Sequence, residues 1–207
     1  MSESATYYII QIALLAVPIL FSLTLHEIAH GYSAYLLGDP TPKVAGRLTL
    51  NPLKHIDIIG LAMLFITRSF GWAKPIPVSP ANLNRPRSQM MLISLAGPAA
   101  NISIALVSAI IFHFTGDYLK TSSLLFPMAA ILQLLVKINI SLALFNLLPI
   151  PPLDGSHILK GIIPDKHLKF YLSIEPYGFV ILIVFIFSGV LTSAFLPVIN
   201  VLTRFLL

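Results

Sequence analysis

Phe21-Ser22-Leu23-Thr24-Leu25-His26-Glu27-Ile28-Ala29-His30 decides how the rest of the chain is read. It lies inside an apolar run over residues 7–37, long enough to cross a bilayer as a helix. On a helix, positions four apart share a face, so His26 and His30 can offer two imidazole nitrogens to one metal ion. Glu27 stands beside them, placed to take a proton from a metal-activated water. The plainer reading is a core helix whose histidines only hydrogen-bond. Three ionisable groups in five residues of a membrane-length segment cost too much to be accidental.

Composition sets the class. Of 207 residues, 57% are hydrophobic and only 10% charged, and the mean hydropathy is +0.88, so the chain reads as an all-α multi-spanning membrane protein. No polar linker or soluble-sized stretch divides it, so residues 1–207 are expected to form a single membrane domain. There is no cysteine, which excludes a thiolate metal site, a thiol nucleophile and a disulfide framework. A metal must be held by nitrogen and oxygen. The net charge of +5 fits cytoplasmic-loop bias in a lipid bilayer rather than a nucleic-acid partner. The first residues, Met1-Ser2-Glu3-Ser4-Ala5-Thr6, have no basic n-region and run into the metal motif, unlike a cleaved signal peptide.

Gly38-Asp39-Pro40 stops the first span. In residues 41–55, Val44, Leu48 and Leu50 are broken by Gly46 and ended by Asn51-Pro52, which suggests short strands or a hairpin beside the metal helix, or else an ordinary surface loop. Residues 58–67 are apolar over only half a span and fit a re-entrant or interfacial helix. The prolines of residues 74–80 predict extended chain.

A second span is expected over residues 89–114. It holds Gly97-Pro98-Ala99-Ala100-Asn101, where a proline kink with small residues for close packing is the ordinary reading. Asn101 lies one turn beyond Gly97 and can face the same interior. After a loop at 116–123 a third span is expected over 124–148. Asn139 and Asn146 share one face there, either as interhelical glue or as polar groups of a site. Lys137 lies well inside this span and either snorkels or pairs internally. The span ends in Asn146-Leu147-Leu148-Pro149-Ile150-Pro151-Pro152-Leu153-Asp154-Gly155. Its prolines leave unwound backbone, tolerable at membrane depth only against a protein cavity. Asp-Gly is usually just a turn, but here Asp154 supplies the third ligand that two histidines lack, leaving a fourth position open. Residues 177–207 predict one span and a shorter terminal segment divided near 193–197, for about four to six membrane helices in all.

Charge gives an independent check on topology. If the site lies at the C-terminal ends of the first and third spans, the second must run the other way and residues 38–89 must leave and return on one side. Lys43, Arg47, Lys54, Arg68, Lys74, Arg85, Arg87, Lys160, Lys166 and Lys169 then lie with the site, against Lys120 opposite. Such an imbalance places the metal side in the cytoplasm.

His26-Glu27-x-x-His30, Gly97-x-x-x-Asn101 and Asn146-x-x-Pro149-x-Pro151-x-x-Asp154-Gly155, in that order, resemble the site-2 protease family of intramembrane zinc metalloproteases. Residues 46–57 also resemble the loop of its small prokaryotic members. The likeness covers roughly residues 7–160. It implies one Zn2+ per chain on His26, His30 and Asp154, Glu27 as catalytic base, and Asn146 near the substrate or oxyanion, with Asn101 a weaker candidate. It implies a three-helix catalytic core over about 7–160, with the C-terminal membrane segments of about 177–207 outside it. The expected activity is hydrolysis of peptide bonds within or near transmembrane segments of protein substrates, as in regulated intramembrane proteolysis, in a multi-pass protein of the cell membrane. No PDZ- or CBS-like stretch is seen, so regulation by such a module is not expected. Lys137 is an unexpected charge for that core helix.

A helical substrate hides its carbonyls, so unwinding must precede attack. Strand-like pairing with the loop at Gly46, Leu48 and Asn51 can stabilise the unwound form. Two rivals belong to other classes. A zinc transporter needs further metal-binding side chains on a neighbouring helix, and no second HxxxD or HxxxE cluster is found. An inactive relative that only binds membrane segments has no need of Glu27.

Overall fold

The computed structural model describes residues 3–67, 71–121 and 123–207. Three long helices carry the fold: α1 (Glu3–Leu36), α4 (Pro86–Lys120) and α5 (Phe126–Asn146). Helix α4 packs against the other two and runs antiparallel to both, and α1 and α5 also touch each other. His30 meets Ile93 while His26 meets Asn101, and Asn139 of α5 in turn meets Asn101. Small residues permit the close approach: Ala105 and Ala109 of α4 pack with Val136 and Ile140 of α5 and with Ile199. Large apolar side chains such as Val107, Ile110 and Phe114 remain exposed, as a lipid-facing surface requires. Among the described residues, four segments are long and apolar enough to cross a membrane: Leu14–Leu36, Pro86–Lys120, Phe126–Asn146 and Asp165–Phe187. The chain is an all-helical multi-pass membrane protein.

Between α1 and α4 the described chain builds short elements. It forms α2 (Thr41–Val44), a 3-10 turn (Pro52–Lys54), the short apolar α3 (Ile58–Thr67) and a second 3-10 turn (Pro80–Asn82). Of the two readings left open for residues 41–55, short strands or an ordinary loop, the strands are not there. Pro42 and Pro52 each open a helical turn, Asn51 caps the second by accepting from Leu53 N at 3.0 Å, and Gly46 turns the chain with φ 63°. These local devices win over an apolar alternation with no neighbouring strand to pair with. Among the described residues a lone antiparallel bridge joins Ile56 to Ala73.

Residues 71–79 run extended over the site as the prolines predict, and polar anchors hold this strap. Buried Asp39 accepts from Thr41 N and Oγ1, Ser79 N and Asn82 Nδ2, tying the end of α1 to the strap's far end. Burial raises the Asp39 carboxyl, but these donors outweigh burial and hold it below the ordinary carboxylate range. Arg47 Nη2 donates to Lys74 O at 2.6 Å, and Lys74 N donates to His55 O at 2.9 Å.

After α5 the chain unwinds through the prolines, with a cis bond between Pro151 and Pro152, and enters α6 (Asp154–Ile162), α7 (Asp165–Ile174), α8 (Gly178–Phe187) and α9 (Val190–Leu206). Two boundaries differ from expectation. Helix α4 continues to Lys120, because nothing before Thr121 breaks it. The C-terminal division falls at Gly189, whose φ of 74° ends α8, while Pro197 is absorbed inside α9. Arg87 at the start of α4 donates to the carbonyls of Lys160 and Ile163 and pairs with Asp165, fixing α6 against α4.

Candidate metal centre

Ring nitrogens of His26 and His30 and a carboxylate oxygen of Asp154 all lie within 4.8 Å of one another. His26 Nε2 is 3.2 Å from Asp154 Oδ2, His30 Nε2 is 3.2 Å from Asp154 Oδ1, and the two Nε2 atoms are 3.0 Å apart. Helical spacing brings the histidines together on α1. Asp154 arrives from the first turn of α6, where a carboxylate also suits the helix dipole. Gly155 lets α6 start there: a Cβ on it would stand 2.3 Å from the carbonyl oxygens of Leu147 and Leu148.

The far sides of both rings are committed. His26 Nδ1 donates to Asn101 Oδ1 at 2.6 Å, and His30 Nδ1 donates to the Ile93 carbonyl at 2.7 Å. In the neutral rings the Nε2 atoms then carry lone pairs, directed at each other and at a carboxylate. Asp154 Oδ2 is buried with no hydrogen-bond partner. Burial raises the Asp154 carboxyl, but the two imidazoles together outweigh it and hold it down to about 2, so it is ionised at neutral pH. Acceptors so crowded need a cation among them. Two nitrogens and a carboxylate are the donor set of a catalytic zinc with an open position. Gly97 leaves the room, since a Cβ there would stand 2.3 Å from His30 Nε2 and 2.5 Å from His26 Cε1.

A cavity of about 670 Å3 opens onto these residues. Glu27 lines it, and its Oε2 accepts from Ile76 N at 2.9 Å. Asn146 lines it from the end of α5, with Nδ2 donating to Leu142 O at 3.0 Å. Asn101 does not; it lies wholly buried behind His26. Gly46, Leu48 and Asn51 also stand outside the cavity, whose upper wall is the strap at Ala73, Pro75, Ile76 and Val78. Leu48 instead packs beside Gly31, behind the metal helix.

Two participants escaped the sequence reading. Ile76 carries no polar side chain and acts through its backbone. His157 also lines the cavity, and its spacing of three from Asp154 on α6 was the available signal. Burial and nearby Lys160 hold the His157 imidazole below its ordinary range, so it is neutral at pH 7.

A match to Peptidase family M50 covers residues 120–189. The "Putative zinc metalloprotease YwhC" of Bacillus subtilis (strain 168) is 36% identical over 188 residues, spanning 90% of this chain and 85% of its own length. Rip2 of Mycolicibacterium smegmatis, also named for zinc metalloprotease activity, is 29% identical over 180 residues, 85% of this chain and 67% of its own. Zinc metalloprotease MJ0392 of Methanocaldococcus jannaschii is 25% identical over 155 residues, 75% of this chain and 36% of its own. No solved structure matches the chain. Motif order, helix architecture and these relatives agree, and the chain belongs to peptidase family M50, the zinc metalloproteases of the site-2 protease type.

Proposed function

We propose that this metalloprotease cuts peptide bonds within or beside membrane-spanning segments of other proteins, with His26, His30 and Asp154 holding one zinc ion and Glu27 as the base. The observation that carries the reading is the meeting of two Nε2 atoms with the Asp154 carboxylate in a cavity that Glu27 lines, between apolar spans. Bound there, zinc supplies Lewis acidity, which makes water a nucleophile at neutral pH and polarises a carbonyl. Glu27 takes the water's proton and passes it to the departing amine, which restores its carboxylate for the next turnover. Asn146 turns its amide from Leu142 O toward the substrate carbonyl oxygen. Asn101 is a positioning residue that acts through His26.

A substrate helix must unwind before its carbonyl is reachable. The extended strap lies along the cavity with its Lys74, Ile76 and Ser79 N–H groups already engaged, so an unwound stretch can pair with it by donating its own N–H groups to the strap's carbonyls. Gly46, Leu48 and Asn51 then serve substrate handling from behind, in the loop whose Arg47 anchors the strap. The imbalance of basic residues between the loops, with Lys43, Lys74, Arg85, Arg87 and Lys160 among those expected near the site against Lys120 in the opposite loop, supports a site that faces the cytoplasm. The catalytic core is about residues 7–160 of a single domain, with 177–207 as supporting membrane segments.

The test compares wild type with Glu27→Gln, each reconstituted with a reporter transmembrane substrate. Zinc content should be equal and cleavage abolished, because the ligands remain while the proton acceptor is gone. Equal turnover by the variant would overturn Glu27 as the base.

A further inference from the structure

Lys137 has no place in the site just described. It lies nine positions before Asn146 on α5 and eleven after the helix start, so about 13 Å and 16 Å of helix separate it from the two ends. A four-carbon stem does not span either distance, and its charge stays at membrane depth unless a cavity receives it.

One does. A second cavity, of about 480 Å3, is walled by Leu15, Ile19 and Leu20 of α1 and by Leu134 and Ile138 of α5, with Lys137 among its lining residues. Asp57 and His55 line it from the loop side. No ion pair joins Lys137 to Asp57 among the described residues, and Asp57 Oδ1 accepts from Gly60 N at 2.8 Å. His55 is 3% exposed; its Nε2 donates to Thr49 O at 2.9 Å, and its Nδ1 is left an acceptor without a partner. The chamber is therefore mainly apolar, with the Lys137 cation, the Asp57 carboxylate and one unmet acceptor along its lining.

It also adjoins the cavity of the metal centre. Leu23, Ala73 and Leu142 wall both cavities. A chain lying along the strap past Ala73 borders both.

We infer that this side chamber is a specificity subsite of the protease, in which Lys137 selects substrate segments carrying an acidic side chain a few residues from the scissile bond. The inference rests on the proposed reading that the substrate is a membrane segment. An isolated carboxylate in such a segment is costly to bury, and so is the Lys137 ammonium; the two neutralise each other in the chamber. Extended chain advances about 3.3 Å per residue, so the 13 Å from the level of Asn146 to Lys137 corresponds to about four residues. The unmet His55 Nδ1 can accept from a backbone N–H of the same stretch.

The experiment scans a single Asp, Asn or Lys through positions three to five residues on either side of the cut in one reporter transmembrane segment. Wild type, Lys137→Met, Lys137→Arg and Lys137→Glu are compared in liposomes, and the rate ratio between substrates is read within each enzyme. Wild type should favour Asp over Asn roughly tenfold at one position, a ratio equivalent to a single modest charge contact. Lys137→Arg should keep that preference, Lys137→Met should erase it, and Lys137→Glu should favour Lys instead. An Asp preference that survives in Lys137→Met, or no Asp preference at any position while the Asn reporter is cut, would overturn the subsite alone. Failure of wild type to cut any of these reporters would overturn the proposed function and the subsite with it.

Discussion

His26 Nδ1 lies 2.6 Å from Asn101 Oδ1, and this contact settles which face of the imidazole is presented to the metal. The assignment can be traced outward. Asn139 Nδ2 donates to the Leu135 carbonyl at 2.8 Å and to Ser22 Oγ at 2.7 Å, so Asn139 turns its oxygen toward α4. Asn101 must then offer its own Nδ2 to that oxygen, at 2.7 Å, and its Oδ1 to His26. A carbonyl of α5 thus fixes, through two buried amides, the tautomer of a histidine on α1. Ser22, Asn101 and Asn139 are all fully buried, so water does not offer a substitute partner.

Removing the middle of this relay should loosen the metal without touching a ligand. Asn101→Ala is expected to weaken zinc affinity about 10- to 100-fold, the usual cost of losing an outer partner of a metal-bound histidine. Asn101→Asp still accepts from His26 Nδ1 and should lose much less. Chelator competition on the purified variants measures both. Equal affinities for the Ala and Asp variants would remove Asn101 from the metal's support.

Gly97 makes a sharper demand. Its missing Cβ leaves the space beside His30 Nε2 and His26 Cε1, and even a methyl group would stand within 2.5 Å of both rings. Helix propensity alone would favour alanine there by about 1 kcal/mol. The overlap across the α1–α4 contact costs about 1–3 kcal/mol, which offsets that gain. Gly97→Ala should therefore fold with no better than wild-type stability, bind no zinc and cut nothing. Thermal unfolding alongside zinc analysis separates the two effects, and a zinc-loaded Gly97→Ala protein would refute the clash.

The parts legible in the sequence were those written in periodicity and side-chain chemistry. Three apolar spans, the i, i+4 histidines and an aspartate after a proline break are each local patterns, and together they placed α1, α4, α5 and the three metal-binding candidates. Asn101 read only as a polar residue one turn from Gly97, because its importance depends on Asn139, distant in sequence. The loop over residues 41–55 was harder. Val44, Leu48 and Leu50 alternate as a strand would, but among the described residues no neighbouring strand rewards that pattern, and proline and asparagine turns prevailed. Ile76 acts through a backbone N–H, which side-chain chemistry does not reveal.

Topology can be checked on the whole protein. It has no native cysteine, so single cysteines at Lys43, Arg85, Lys166 and Lys120 give a clean background. The first three should react with a membrane-impermeant reagent from the cytoplasmic side and the fourth from the opposite side. Labelling of positions 43 and 85 from opposite sides would mean that Ile58–Thr67 crosses the membrane, contrary to the return of the chain on one side.

The last prediction concerns the strap's grip on Glu27. In Lys74-Pro75-Ile76-Pro77, the two prolines have no N–H to give, so Ile76 carries the one backbone donor between Lys74 and Val78. That donor goes to Glu27 Oε2 at 2.9 Å. A hydrogen bond to a carboxylate is stronger than one between neutral groups, so this N–H is suited to hold the base in place. Ile76→Pro removes the donor while keeping the extended backbone that its neighbours already impose. It should leave zinc content unchanged and lower kcat by about tenfold, a loss equivalent to about 1.4 kcal/mol. Ile76→Ala keeps the N–H and removes only the side chain packed beside Gly31, so it should lose activity less steeply. Single-turnover cleavage of one reporter by the two variants makes the comparison. If alanine costs as much as proline, side-chain packing and not the N–H supports Glu27.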